Sequence, residues 1–377
     1  MTATAAAGPA YAGSTPRRGT PLRRLPFLLP GGVALLAGID AALMLLGLPA
    51  PVSADRLPDV HGMLLVLGFV GTLIALERAV ALGRRAGYLA PGLLGLGALL
   101  LLSPVPLTVG QAALLAGTVA MTGVYVPLWR RQRDDAVLIQ ALGAVLAVGA
   151  AALWLGGVPI PSLLPWLVGF IVLTIAGERL ELARIAMGGD AGRRLVQMCC
   201  SVVVAVAASL LWPRVASPAL GLVLAVLVGW LMVHDVARRT VRSDGLVRFM
   251  AASMLAGYLW LGVAAGIWLL SGPATEGVRY DAVVHAVFLG FTLSMIMAHA
   301  PVILPAVLRR PLRYHPVMLV PAAALHASLA LRLWAGDALG LPIAWQVGGA
   351  LNIVALLVFV GVVVWSVARA GQVRSTR

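Results

Sequence analysis

Twelve apolar runs, most of them about twenty residues long and divided by short connections, leave this chain few ways to fold. They lie near residues 27–48, 60–82, 88–104, 107–129, 136–156, 162–186, 194–213, 217–237, 247–271, 281–308, 315–335 and 343–368. A helix of roughly twenty residues spans the ~30 Å hydrocarbon core of a bilayer. Composition excludes a soluble alternative. With 61% hydrophobic residues, 11% charged residues and a mean hydropathy of +0.98, a 377-residue chain cannot be solvated as a globular domain. The expected fold is all-α, a polytopic membrane protein whose immediate partner is the lipid bilayer.

A net charge of +14 does not point to nucleic acid, because the arginines occupy alternate short loops instead of one face. Arg17, Arg18, Arg23 and Arg24 precede span 1, Arg84 and Arg85 follow span 2, and Arg130, Arg131 and Arg133 follow span 4. Arg193 and Arg194, then Arg238, Arg239 and Arg242, then Arg309, Arg310 and Arg313, and last Arg374 and Arg377 continue the same side. The positive-inside rule makes these loops cytoplasmic, with both termini inside and the chain in the plasma (inner) membrane. The intervening loops are rich in Pro and Gly and face outward. Residues 1–26 are expected to be a disordered basic cytoplasmic tail and not a cleaved signal, residues 27–370 a single transmembrane domain, and residues 371–377 a second tail. Cys199 and Cys200, adjacent within span 7, offer no disulfide framework and read as small packing residues.

A short frame recurs three times. Gly68-Phe69, Gly169-Phe170 and Gly290-Phe291 open it; Ile74, Ile175 and Ile296 follow six residues after each glycine, and Glu77, Glu178 and His299 nine residues after. The first two copies read IALER and IAGER. Apolar helices draw on few residue types, so Gly-Phe pairs also recur by chance. The copies nevertheless fall in spans 2, 6 and 10, four spans apart, which predicts three four-helix units, near 27–129, 136–237 and 247–368, around a pseudo-threefold axis. Two six-helix halves would pair span 2 with span 8, which carries His234-Asp235 and no such frame.

Ionisable groups within spans are costly and are the first places to seek function. His61 opens span 2 as HGMLLVLGF and His285 opens span 10 as HAVFLGF. Both sit near the outer surface on helices running in the same sense. The pair reads either as interfacial histidines bonded to loops or as two imidazoles facing one pocket, the arrangement that a bis-histidine haem needs. His299 lies 14 residues beyond His285, roughly 21 Å along the helix, in the inner half. It shares that level with Glu77, Arg78, Glu178 and Arg179, with Glu181 and Arg184 a turn below. This inner polar tier reads as structural ion pairs between helices, as a proton relay, or as a two-Glu, one-His metal site. His326, inside span 11, is the candidate third ligand for a second metal, or else a partner for a neighbouring helix. His234 and His315 sit at helix ends and read as cap or surface residues.

Twelve spans, the four-span repeat, and a histidine on spans 2 and 10 resemble the catalytic subunit of the haem-copper oxidase superfamily. The HGM opening of span 2 and the long histidine helix are also similar to the NnrS family of membrane proteins of nitric-oxide metabolism. The resemblance covers most of the chain on short motifs. It implies a haem b held by His61 and His285 towards the outer face, and a role in nitric-oxide or respiratory electron metabolism with an electron donor or a small gas ligand as partner. The superfamily's copper-site histidines on spans 6 and 7 are absent; Glu178 stands on span 6. Only one histidine equivalent to the pair on the superfamily's span 10 is present. No copper centre is therefore carried over, and a haem oxidoreductase activity stays open.

Secondary transport of a small solute, through the intramembrane Glu, Arg and His groups, is the alternative class. LERAVALGRRAG after span 2 is loosely similar to the acidic-Arg, Gly-Arg-Arg motif of the major facilitator family, but Glu77 lies six residues before Gly83, within the helix, and no second copy follows span 8. A pure scaffold role has no positive feature behind it.

Overall fold

A computed structural model describes residues 24–308, 312 and 314–375. All twelve expected spans are helices long and apolar enough to cross a membrane, and no strand occurs among the described residues. They are α1 (Pro26–Leu45), α2 (Arg56–Leu82), α3 (Arg85–Leu102), α4 (Leu107–Gln132), α5 (Asp135–Leu155), α6 (Ile160–Ala183), α7 (Ala191–Leu211), α8 (Pro213–His234), α9 (Gly245–Ser271), α10 (Gly277–Pro305), α11 (Pro316–Ala338) and α12 (Pro342–Arg369). The chain is a multi-pass membrane protein. Helical structure continues beyond α12 to Ser375, so most of the segment expected as a tail at 371–377 is helix. The tail expected over 1–26 falls largely outside the described residues, as do Arg17, Arg18, Arg23, Arg309, Arg310, Arg313 and Arg377.

Local chemistry sets the turns. Gly83 ends α2 in the left-handed region (φ 71°), where its N–H donates to Ala79 O, and glycine is the residue that adopts this conformation without a Cβ penalty. Arg133 does the same after α4 at φ 45° and so carries a strain that glycine would not. The Asp134 carboxylate then accepts from Ala136 N and caps α5.

Spans α2, α6 and α10 form the centre. In their most apolar stretches 67, 78 and 67% of residues are buried, against 28–56% for the other nine. The repeated glycines show how this packing is reached. A Cβ at Gly68 would lie 2.9 Å from Ala98 Cβ on α3 and 3.3 Å from Ala34 Cβ on α1, one at Gly169 would lie 2.5 Å from Leu146 on α5, and one at Gly290 would meet Trp260 on α9. Each glycine thus lets a central span press against the span that precedes it. Lipid is as apolar as leucine, so close backbone approach of this kind replaces the hydrophobic drive between helices.

Three stretches widen from the α pattern into π turns: Leu64–Gly71 in α2, Ala286–Leu293 in α10 and Leu331–Ala338 in α11. The Thr292 hydroxyl donates to Val287 O, five residues back, as a widened turn requires, whereas Thr174 in the regular α6 donates four back to Phe170 O. π turns re-aim side chains and concentrate at functional sites. The first two begin within three residues of His61 and directly after His285.

Gly290→Val is expected to destabilise the protein by about 1–3 kcal/mol, because Trp260 must leave its rotamer. Gly266→Val, at a position where a Cβ meets nothing within 4 Å, should cost far less. Thermal unfolding of both variants in detergent, followed by tryptophan fluorescence, checks the difference.

Candidate functional site

Two cavities lie along the centre of the bundle, and they abut: Leu35, Phe69, Val70 and Thr292 line both. The first, of about 110 Å³, sits at the end where α2 and α10 begin and is walled by α1, α2, α6, α10, α11 and α12. His61 and His285 both line it. The His61 Nδ1 is 2.9 Å from Gly38 O and the His285 Nδ1 2.8 Å from Asp281 O. A carbonyl only accepts, so each Nδ1 carries a proton, and in the neutral ring Nε2 then keeps its lone pair. This is the state in which a histidine binds a metal, with the distal hydrogen bond fixing ring orientation.

Arg332, from the third π turn, also reaches this cavity. It is 6% exposed and paired with Asp281 through Nε at 3.0 Å and Nη2 at 2.7 Å. Trp345 Nε1 donates to the same carboxylate at 3.3 Å, and its ring lies under the guanidinium at 4.9 Å. Gly348 and Gly349 on α12 leave the space: a Cβ on either would come within 3.0 Å of Arg332 atoms. Asp281 also stands 3.3 Å from His285 Nδ1, so one carboxylate ties the buried cation to the histidine. Asn352, on the cavity wall, accepts from the Ser328 hydroxyl through Oδ1 while its Nδ2 has no partner among the described residues, which leaves a donor for a bound group.

His326 is placed differently. It does not line the cavity, and its Nδ1 accepts from Trp260 Nε1 at 3.0 Å. An indole N–H only donates, so the His326 proton lies on Nε2, opposite to the other two histidines. Among the described residues no three His, Cys, Asp or Glu side chains assemble as a metal site. His234 bonds Trp230 O and stacks on that ring, and His315 accepts from Val317 N at a helix start.

The second cavity, of about 380 Å³, holds the repeated frame: Ile74, Ile175 and Ile296 line it together with Glu77, Glu178 and His299. The residues expected as one inner tier separate into two clusters and one isolated carboxylate. Arg78 binds Glu77 at 2.6 Å, Gln140 at 2.9 Å and Glu181 at 3.4 Å, joining α2, α5 and α6. Arg179 binds not a glutamate but Asp235, through two bonds of 2.8 Å. Tyr258 OH donates to the Asp235 carboxylate at 2.7 Å and Ala237 N–H donates to it at 2.8 Å, while His299 Nε2 lies 3.5 Å from Arg179. Burial acts to raise the Asp235 carboxyl, but the bonds and charge of Arg179, then those of Ala237 and Tyr258, hold it below the ordinary carboxylate value. Asp235 and Arg332 were not candidates by sequence. Asp235 reads only as the acid at the cytoplasmic end of span 8, and the only mark of Arg332 is a lone cation in LALRLWAG with an unassigned acid at the start of α10.

An all-α bundle of twelve spans around a histidine-bearing cavity and an acidic one defines a polytopic membrane protein with a central intramembrane site. Over residues 24–368 the chain matches the family described as a domain of unknown function (DUF8744), and it belongs to that family. No curated protein and no solved structure matches it.

Asp235→Ala strips four hydrogen bonds and leaves Arg179 buried without its anion, which is expected to cost about 3–5 kcal/mol in thermal unfolding. Because the folded carboxyl is held low, this stabilisation is complete above about pH 4 and declines as the pH falls towards the folded value. The variant should therefore lose less stability than the wild type on acidification.

Proposed function

We propose that this protein binds haem b between His61 and His285, at the outer side of the plasma membrane, in nitric-oxide or respiratory electron metabolism. The observation that carries the reading is that two histidines on separate spans line one apolar cavity, each with Nδ1 tied to a carbonyl and Nε2 left as a ligand atom. The resemblance to the NnrS family and to haem-copper oxidases supplies the metabolic setting. With basic loops inside, the end at which α2 and α10 begin faces outward and both termini are cytoplasmic. Bound there, haem would supply reversible one-electron chemistry, tuned by its axial ligands and its burial, and would take a diatomic gas only where one imidazole gives way.

The chain's own residues set the conditions. Gly38 O and Asp281 O orient the two imidazoles, the Asp281 carboxylate neutralises Arg332, and Leu65, Phe288 and Leu289 keep water out. Pockets that enclose a drug-sized ligand run to roughly 300–1,000 Å³. The 110 Å³ beside the histidines is smaller, so a macrocycle enters only as side chains such as Leu65 and Phe288 swing aside.

The test is an optical spectrum of the purified protein, oxidised and after dithionite, with a pyridine haemochrome assay, beside His61→Ala, His285→Ala and the double variant. A b-type spectrum lost in the double variant is expected, whereas Ala at His326 should leave it unchanged. A wild-type protein that stays colourless when expressed with added haem overturns the reading and favours secondary transport through the Glu77, Glu178 and His299 cavity.

A further inference from the structure

One carboxylate in the interior has no partner. Glu178 is 9% exposed, and among the described residues it receives no hydrogen bond and forms no ion pair. Its neighbours are committed elsewhere, Arg179 to Asp235 and Arg78 to Glu77, Gln140 and Glu181. Glu178 lines the 380 Å³ cavity with Glu77, and no Lys or Arg side chain lines that cavity among the described residues. Apart from His299, Thr174 and Thr292, the remaining wall is aliphatic and aromatic. An ionised carboxylate in such surroundings is costly unless a counter-charge reaches it.

The cavity also opens sideways. Gly32 on α1 and Val360 and Val364 on α12 line it and are exposed on the flank of the bundle, Val364 at 63%. That flank is where lipid lies, so a guest enters from the bilayer. Two carboxyl groups side by side disfavour an anionic head group, and a neutral alcohol brings one donor and no counter-charge to Glu178. An ammonium offers three donors, which the two Glu178 oxygens and the Glu77 oxygen not holding Arg78 can accept. We propose that this cavity binds a lipophilic amine drawn from the membrane, its ammonium paired with Glu178 and its hydrocarbon part packed on Ile74, Ile175 and Ile296. The site is separate from the histidine cavity and does not depend on haem.

The experiment is equilibrium binding of radiolabelled n-octylamine to the full chain in zwitterionic-lipid nanodiscs, compared with n-octanol and octanoate of the same chain length. The amine, protonated at neutral pH like a lysine side chain, should bind saturably, and the alcohol and the carboxylate roughly tenfold more weakly or worse, the value of a charge-assisted bond. Glu178→Gln should bring amine binding down to the level of the alcohol. Ile296→Trp, which fills the cavity and keeps the carboxylate, should abolish it. Non-saturable partitioning of the amine, equal binding of the three head groups, or unchanged binding in Glu178→Gln would overturn the proposal. The head-group comparison on the wild-type protein decides the matter even where a variant does not fold.

Discussion

A guanidinium cannot sit in hydrocarbon unless a carboxylate is brought to it, and three buried arginines hold this bundle together on that condition. Arg78, Arg179 and Arg332 are 7, 3 and 6% exposed. Arg78 reaches across to Glu181 on α6, Arg179 to Asp235 beyond α8, and Arg332 to Asp281 on α10. Desolvating such charges costs several kcal/mol per ion, so each pair tolerates one geometry and few others. Apolar packing can slide between neighbouring registers, and these clasps cannot. They fix α2 against α5 and α6, α6 against α8, α9 and α10, and α10 against α11 and α12.

Seen this way, the histidine cavity is a by-product of one clasp. Asp281 lies one turn before His285, so the carboxylate that neutralises Arg332 also stands beside the imidazole whose Nδ1–H is held by the Asp281 carbonyl. The π turn that follows widens the helix and lets Phe288 and Leu289 face the same space. Across it, His61 borrows its carbonyl from Gly38 on α1. Two imidazoles are thus presented alike by unlike means, one from within its own helix and one from a neighbour.

Much of this was legible in the chain. Apolar run length and the charge of the loops gave all twelve spans within a few residues, because the bilayer sets helix length and leaves little to tertiary context. The similar position of His61 and His285 before LGF pointed to a shared pocket, and both line one. What stayed hidden was pairing at a distance. Nothing in LALRLWAG says that its arginine meets Asp281, 51 residues away, and Asp235 looks like a helix-end acid until Arg179 and Tyr258 close on it. The π turns were hidden as well. LLVLGFVG widens while LVGFIVLT, which carries the same Gly-Phe pair in span 6, stays α-helical, so the pair alone does not decide it.

The repeated frame explains why charge gathers on the axis. Successive residues of a helix point about 100° apart. Where Glu77 and Glu178 face the central cavity, Arg78 and Arg179 must turn aside into the surrounding helices, and there they meet their carboxylates. In the third copy the same two positions are His299 and Ala300, and both line the cavity. This unit has no outward arginine to anchor. His299 instead sets its Nε2 towards Arg179 of the second copy, 3.5 Å away. Glu77 keeps Arg78 because that side chain folds back along its own helix. Glu178 loses Arg179 to Asp235, and no third arginine replaces it. The departure of one copy from its repeat thus leaves Glu178, beside the Arg78-bound Glu77, facing the central cavity with no cation bonded to it among the described residues.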